Sequence, residues 1–131
     1  MSDPTPTVRR AVYERDGWRC VACNAGDALT FQHRRRVGMG GSPIRPETVD
    51  GATACGTCNQ AFEHRMQTLA LAFGWKVKAW VKDPAAVPMY YPHEFQWHRL
   101  EGSGRFPISA VVALDMMHAV YGDRYFEWRA A

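Results

Sequence analysis

Apolar residues first recur at helical spacing at Val8, Ala11 and Val12. This predicts a helix capped by Thr7 and running to Arg15, with Asp16-Gly17 turning the chain out of it. Ala28 to His33 reads as a short strand. Residues 34–50 carry no apolar period: three arginines, a Gly-Met-Gly-Gly run and two prolines make a loop longer than compact domains usually hold. Gly51 to Ala54 predicts a second strand leading into Cys55. Phe62, Met66, Leu69, Ala70 and Phe73 share one helical face and predict a single helix from Thr57 to a Gly74 cap. Val77, Trp80 and Val81 predict a strand. Met89 to Tyr91 with Phe95 and Trp97 predicts a strand or hairpin, and Glu101 to Gly104 a turn. A last helix is expected from Ser109 to Tyr121, with Val111, Leu114, His118 and Tyr121 on one side. The fold class is therefore α+β: a flexible tail at 1–7, a core at 8–82 and an extension at 83–131 packed on that core.

Composition narrows the class. An apolar fraction of 47% and a charged fraction of 22% over 131 residues exclude a wholly disordered, collagen-like or coiled-coil chain. Ala110 to Leu114, among the longest apolar stretches, falls far short of the roughly 20 residues of a membrane span. No membrane partner is expected. The polar start of the chain, without an apolar signal core, is read as that of a cytoplasmic protein, in a bacterial host if phage-encoded.

Charge is uneven. Residues 1–82 hold 12 Lys/Arg against 7 Asp/Glu, a net of +5, whereas residues 83–131 hold 4 against 6, a net of −2. Arginine supplies 13 of the 16 cations, and its planar fork suits phosphate. The basic part is thus the candidate DNA-facing surface, with Arg34, Arg35, Arg36 and Arg45 as its contacts; the plain alternative is a solvated surface.

All four cysteines fall in two pairs, Cys20-Val-Ala-Cys23 and Cys55-Gly-Thr-Cys58. Two such pairs in one short chain predict a structural Zn²⁺ held by four thiolates. A closed site of this kind leaves no open position for a catalytic water, and its net charge of about −2 lowers the attraction for DNA. The zinc then explains folding, and any chemistry must come from other residues.

Two units are candidates. His33 ends a predicted strand beside three arginines; a neutral imidazole there can take a proton from water, or it can simply be bonded into the zinc module. Asn59 follows the last cysteine at a helix start, and Glu63 lies four residues on, so the pair can present two oxygens to a divalent ion. Asn59 can equally be a helix cap, and Glu63 and His64 a solvated face.

In this order (a CxxC pair, a strand ending in His33, a Gly-rich loop, then Cys-x-x-Cys-Asn opening a helix) the chain resembles the HNH endonucleases with a ββα-metal, or His-Me finger, core in its zinc-stapled form. The stretches VRRAVYERDGWRCVAC, QHRRRVGMGGS and CGTCN carry the likeness, and the second is similar to HNH proteins of actinobacteria and their phages. The resemblance covers residues 8–75 well and 76–90 loosely. It implies His33 as general base, Asn59 as a ligand of the catalytic metal, Gln32 in the place of the other ligand, usually Asp or His, and Asp50 in the place of an Asn that orients the histidine. Gln32 and Asp50 depart from the family pattern. With two neutral amides at the metal, the missing ligand falls to Glu63, His64 or Asp50, and the ion to Mg²⁺ or to a softer Mn²⁺ or Ni²⁺.

The expected activity is one-metal hydrolysis of DNA phosphodiesters with little sequence preference. The alternatives are a zinc-stapled DNA-binding module that does not cut, and a phage packaging accessory that works through contacts with other packaging proteins. The sequence leaves the oligomeric state open.

Overall fold

The computed structural model describes residues 3–35 and 44–131. Helix α1 spans Pro6–Arg15. Its cap is Thr5, whose Oγ1 accepts from the Val8 N–H, and Pro6 takes the first helical position, where a missing N–H costs nothing. The helix thus begins two residues earlier than the Thr7 cap predicts, and Pro4 is already buried.

Strands β1 (Leu29–His33) and β2 (Gly51–Cys55) form an antiparallel hairpin, with His33 opposite Gly51 and Leu29 opposite Cys55. Cys55 caps α2 (Gly56–Ala61). The single long helix expected here is two: α2 ends at Ala61, a run of turns covers residues 62–66, and α3 spans Gln67–Ala72. Gly74 follows at φ +77°, and a Cβ there would run into the Pro88 carbonyl oxygen. Only glycine meets both demands. No strand forms at residues 77–81; Val77 makes one isolated bridge to Arg35.

Beyond it, β3 (Met89–Tyr91), β4 (Gln96–Glu101) and β5 (Gly104–Ile108) make a three-stranded antiparallel sheet. Helix α4 (Ala110–Tyr121) is capped by Ser109, and a further helix, α5 (Arg124–Ala130), closes the described chain. The buried stripe of α4 is Ala113, Met117 and Tyr121, so Val111, expected inward, is 69% exposed. None of the helices among the described residues is long and apolar enough to cross a membrane.

The architecture is α+β with two small sheets. One core joins the hairpin to the second sheet: Ala52, Ala54 and Phe62 pack with Trp75, Met89, Tyr91 and Leu100. A second core forms between α3, α4 and α5 around Val87, Trp97, Met117 and Tyr125. The extension therefore shares its interior with the hairpin.

Candidate functional site: a four-cysteine centre and the end of the hairpin

The cysteine centre is assembled from two turns. In the first, the Cys20 N–H donates to the Ala25 carbonyl and the Asn24 N–H to the Cys20 carbonyl. Asn24 sits at φ +66°, a left-handed conformation that asparagine tolerates better than most residues. The Val21 N–H donates to the Thr53 carbonyl and so fixes this turn to β2. In the second turn, the Cys58 N–H donates to Cys55 Sγ as α2 begins. All four sulfurs lie within 4.8 Å of one another. Four ligands at a Zn–S bond of about 2.3 Å would stand about 3.8 Å apart on a tetrahedron, and Cys23 Sγ and Cys55 Sγ are 3.7 Å apart. The donor set and its spacing fit a structural metal such as zinc. Burial pushes the Cys58 thiol well above its ordinary range, as does the neighbouring Cys20. Four thiols this close cannot all ionise without a cation among them. Cys23 is exposed and the other three are buried.

At the connected end of the hairpin, where His33 pairs with Gly51, Phe31 and His33 follow one another on one face of β1, their rings 5.1 Å apart and edge to face. Gly51 faces them. A side chain there would collide with the Phe31 ring, so the glycine is what leaves room for that ring across the hairpin. His33 is half-buried. Burial, foremost, pulls its imidazole below the ordinary value; Asp3 and Asp50 push the other way, and Arg9 adds to the fall. The neutral ring is thus favoured, by desolvation rather than by the arginines that follow it in sequence.

Thr30 and Gln32 lie on the opposite face. Asn59 Nδ2 donates to Thr30 Oγ1 at 2.8 Å, tying α2 to β1. Gln32 is buried, and its Nε2 donates to the His33 carbonyl at 2.9 Å. Both amides spend a donor on the protein and retain a carbonyl oxygen as acceptor. The hairpin sets Asn59, bonded to Thr30, and Gln32 on one face and His33 on the other, with Thr30 three residues before His33 along β1.

The remaining candidates are placed otherwise. Glu63 lies beyond the end of α2, so it does not extend the helical face of Asn59; its carboxylate pairs with Lys76 Nζ. Asp50 is occupied too: Oδ1 accepts from Arg35 at 3.0 Å and Oδ2 from the Glu47 N–H at 2.8 Å. His64 is exposed and lines a shallow cavity with Thr57, Gln60 and Arg65.

Arg34 corrects the reading of the basic tract. It is fully buried. Its guanidinium donates to the carbonyls of Gly74, Val49, Pro84 and Val87 at 2.7–3.0 Å. Burial pushes it down to about 10, which leaves it a cation at neutral pH. A side chain without solvent contact, with four of its five N–H donors spent on backbone oxygens, is not available to a phosphate. Arg35 is half-exposed and divided between Asp50 and the Val81 carbonyl. Arg45 is exposed and reaches the Asp3 carbonyl at 3.4 Å. Arg36 and the Gly-rich run after it lie outside the described residues.

Sequence reasoning passed over a second buried group, Arg15–Asp16. Arg15 Nε and Asp16 Oδ1 are 2.9 Å apart, both side chains essentially without solvent contact. Arg15 also donates to the Gly51 and Thr48 carbonyls, and Asp16 accepts from the Thr53 N–H and the Tyr91 hydroxyl. This network holds the strand opposite His33. Its only sequence signal is a charged pair at the end of an amphipathic helix, which usually means a solvated cap. Compared with protein-family models, with curated proteins and with solved structures, the chain matches none.

Proposed function

We propose that the protein is a metal-dependent DNA endonuclease of the HNH type. The observation that carries this reading is the hairpin–helix unit itself. A strand ending in a half-buried, neutral-favouring histidine pairs with a strand that leads through a metal-binding cysteine pair into a helix, and that helix's Asn59 is bonded back to the first strand. In this reading His33 accepts a proton from the attacking water at its unprotonated ring nitrogen. A divalent ion at the carbonyl oxygens of Gln32 and Asn59 supplies charge stabilisation to the phosphoryl group. With Glu63 and Asp50 held by Lys76 and Arg35, that donor set is neutral, and the substrate phosphate contributes much of the binding. Arg35 and Arg45 are the candidate backbone contacts that remain among the described residues.

Those two ion pairs, with Gln32 and His33 on opposite faces, also favour a second reading: a DNA-binding module that does not cut. The two are separated by incubating supercoiled plasmid with the protein and Mg²⁺, Mn²⁺, Ni²⁺ or no divalent ion. Nicking that needs the ion, and that disappears in His33→Ala and Asn59→Ala while bound zinc persists, is the expected result. Salt-sensitive binding without nicking under any ion, and without nicking in Gln32→Asp, establishes the module instead.

A further inference from the structure

Phe95 is out of place on two counts. It is 85% exposed, so it forgoes most of the free energy a phenylalanine gains by burial. Its backbone is left-handed, φ +52° and ψ +40°, which is costly for a bulky residue. Neither feature stabilises the fold. A strained, exposed aromatic held by rigid neighbours is more often explained by what it touches than by what it supports.

Phe95 lies at the lip of an open cavity of about 470 Å³, within the range of small-ligand sites. Three mutually packed rings line it: Phe73 and Tyr90 have centroids 4.9 Å apart, and Tyr90 and Trp97 5.2 Å. Gln96 adds an amide whose Nε2 is spent on the Trp97 and Ile108 carbonyls, leaving Oε1 as the acceptor. Arg129, set against the Tyr125 hydroxyl, supplies a cation. It has no carboxylate partner among the described residues, and no acidic side chain lines the cavity.

An aromatic wall, one acceptor and one cation without a carboxylate partner among the described residues match a flat heteroaromatic ring that bears an anion. We infer that this cavity takes an unpaired nucleobase of single-stranded or branched DNA, stacked against Phe95, with the adjoining phosphate on Arg129. This rests on the nucleic-acid reading above and refines it, because it names unpaired DNA as the substrate class. A proline-rich peptide would also suit the rings but carries no anion for Arg129. The surrounding residues 83–131 are net −2, so affinity here comes from stacking more than from the electrostatic field.

The test is fluorescence anisotropy of the full chain, without added divalent ion, against a 12-mer of thymidine and a 12-mer with abasic sites throughout. The base-bearing strand is expected to bind about 5- to 150-fold tighter, the span of one stacked base. Phe95→Gly removes the ring and suits the left-handed backbone; it is expected to abolish that preference without lowering the melting temperature. Arg129→Gln is expected to weaken both strands and to reduce the salt slope by about one phosphate. Equal binding of both strands, or a preference that survives Phe95→Gly, overturns the inference. So does binding of a polyproline decapeptide through Phe95 in place of the oligonucleotide. The two readings fail separately. A protein that prefers bases through Phe95 yet nicks nothing refutes only the nuclease, and one that nicks through His33 yet ignores the base refutes only the cavity.

Discussion

The hairpin that ends in His33 and the sheet that presents Phe95 are held by different means. In β2 all five residues, Gly51 to Cys55, are buried, yet none is large. Such a strand removes little apolar area from water. At one end lie four cysteines that could hold a metal, and at the other two buried arginine networks. The C-terminal sheet and helices are held by large side chains: Trp97, Met117, Tyr121 and Tyr125 in one cluster, with Trp128 against it. The difference teaches that chain length alone does not set how a region is stabilised. The hairpin spends its interior on small residues, so α2 can approach closely and the end of β1 can stay accessible, and it needs cross-links in return. The aromatic region needs none, and retains spare ring surface at Phe95.

Disrupting the four-cysteine centre breaks this comparison most sharply. Cys58→Ser, or chelation, is expected to collapse the hairpin, a loss on the order of 10 kcal/mol by analogy with other structural zinc centres. Circular dichroism should show lost structure, and elemental analysis one zinc per wild-type chain and none in the variant. Retention of full structure in a zinc-free variant would show that the small-residue hairpin stands on its own.

Arg34→Met comes next. It keeps most of the side-chain volume but leaves the carbonyls of Gly74, Val49, Pro84 and Val87 without their donor. A destabilisation of about 4 kcal/mol is expected in urea unfolding, with Arg34→Lys intermediate. An unchanged midpoint would mean that water replaces the guanidinium and that the network is not a cross-link.

Asp16 sharpens the comparison through pH. Burial works against its charged form, but Arg15, Tyr91 and the Thr53 N–H together hold the carboxyl below its ordinary range. A folded-state value below the unfolded one means the stabilisation is present above about pH 4 and is lost as pH falls through the folded value. Asp16→Asn is expected to cost about 3 kcal/mol at neutral pH, since it leaves Arg15 buried without a counter-charge. It should also flatten the acid limb of stability against pH. A parallel acid limb in wild type and variant would assign acid sensitivity to other carboxylates.

What the sequence disclosed was local. The CxxC spacings, the strand before His33 and the strand before Cys55 rest on neighbours a few residues apart, and they stand in the structure as a sulfur cluster and a registered hairpin. The break at residues 62–66 was hidden, because Phe62, Met66 and Leu69 keep helical spacing across it while the backbone turns. Helix α4 is legible but its inner face is not: Val111 is more apolar than Ala113, yet Ala113 is buried and Val111 is exposed. Arg34 was the deepest miss. Three consecutive arginines look alike in one dimension, and what separates the first is a set of carbonyls up to 53 positions away. The candidate site was legible to the same degree. His33 and Asn59 could be listed from their flanks, but the occupation of Asp50 and Glu63 by cations depends on Arg35 and Lys76, which only the tertiary fold brings near.

The Tyr91 hydroxyl reaches Asp16 across 75 positions of chain. On the ribosome this sets an order. Arg15, Asp16 and Arg34 emerge early, all destined for the interior, while Pro84, Val87 and Tyr91 are still unmade. Until they are made, closing the hairpin strands charge, although all four cysteines precede them in the chain. The cysteine turns alone are therefore a provisional clasp, and the nascent hairpin gains its buried partners only once Tyr91 has been made.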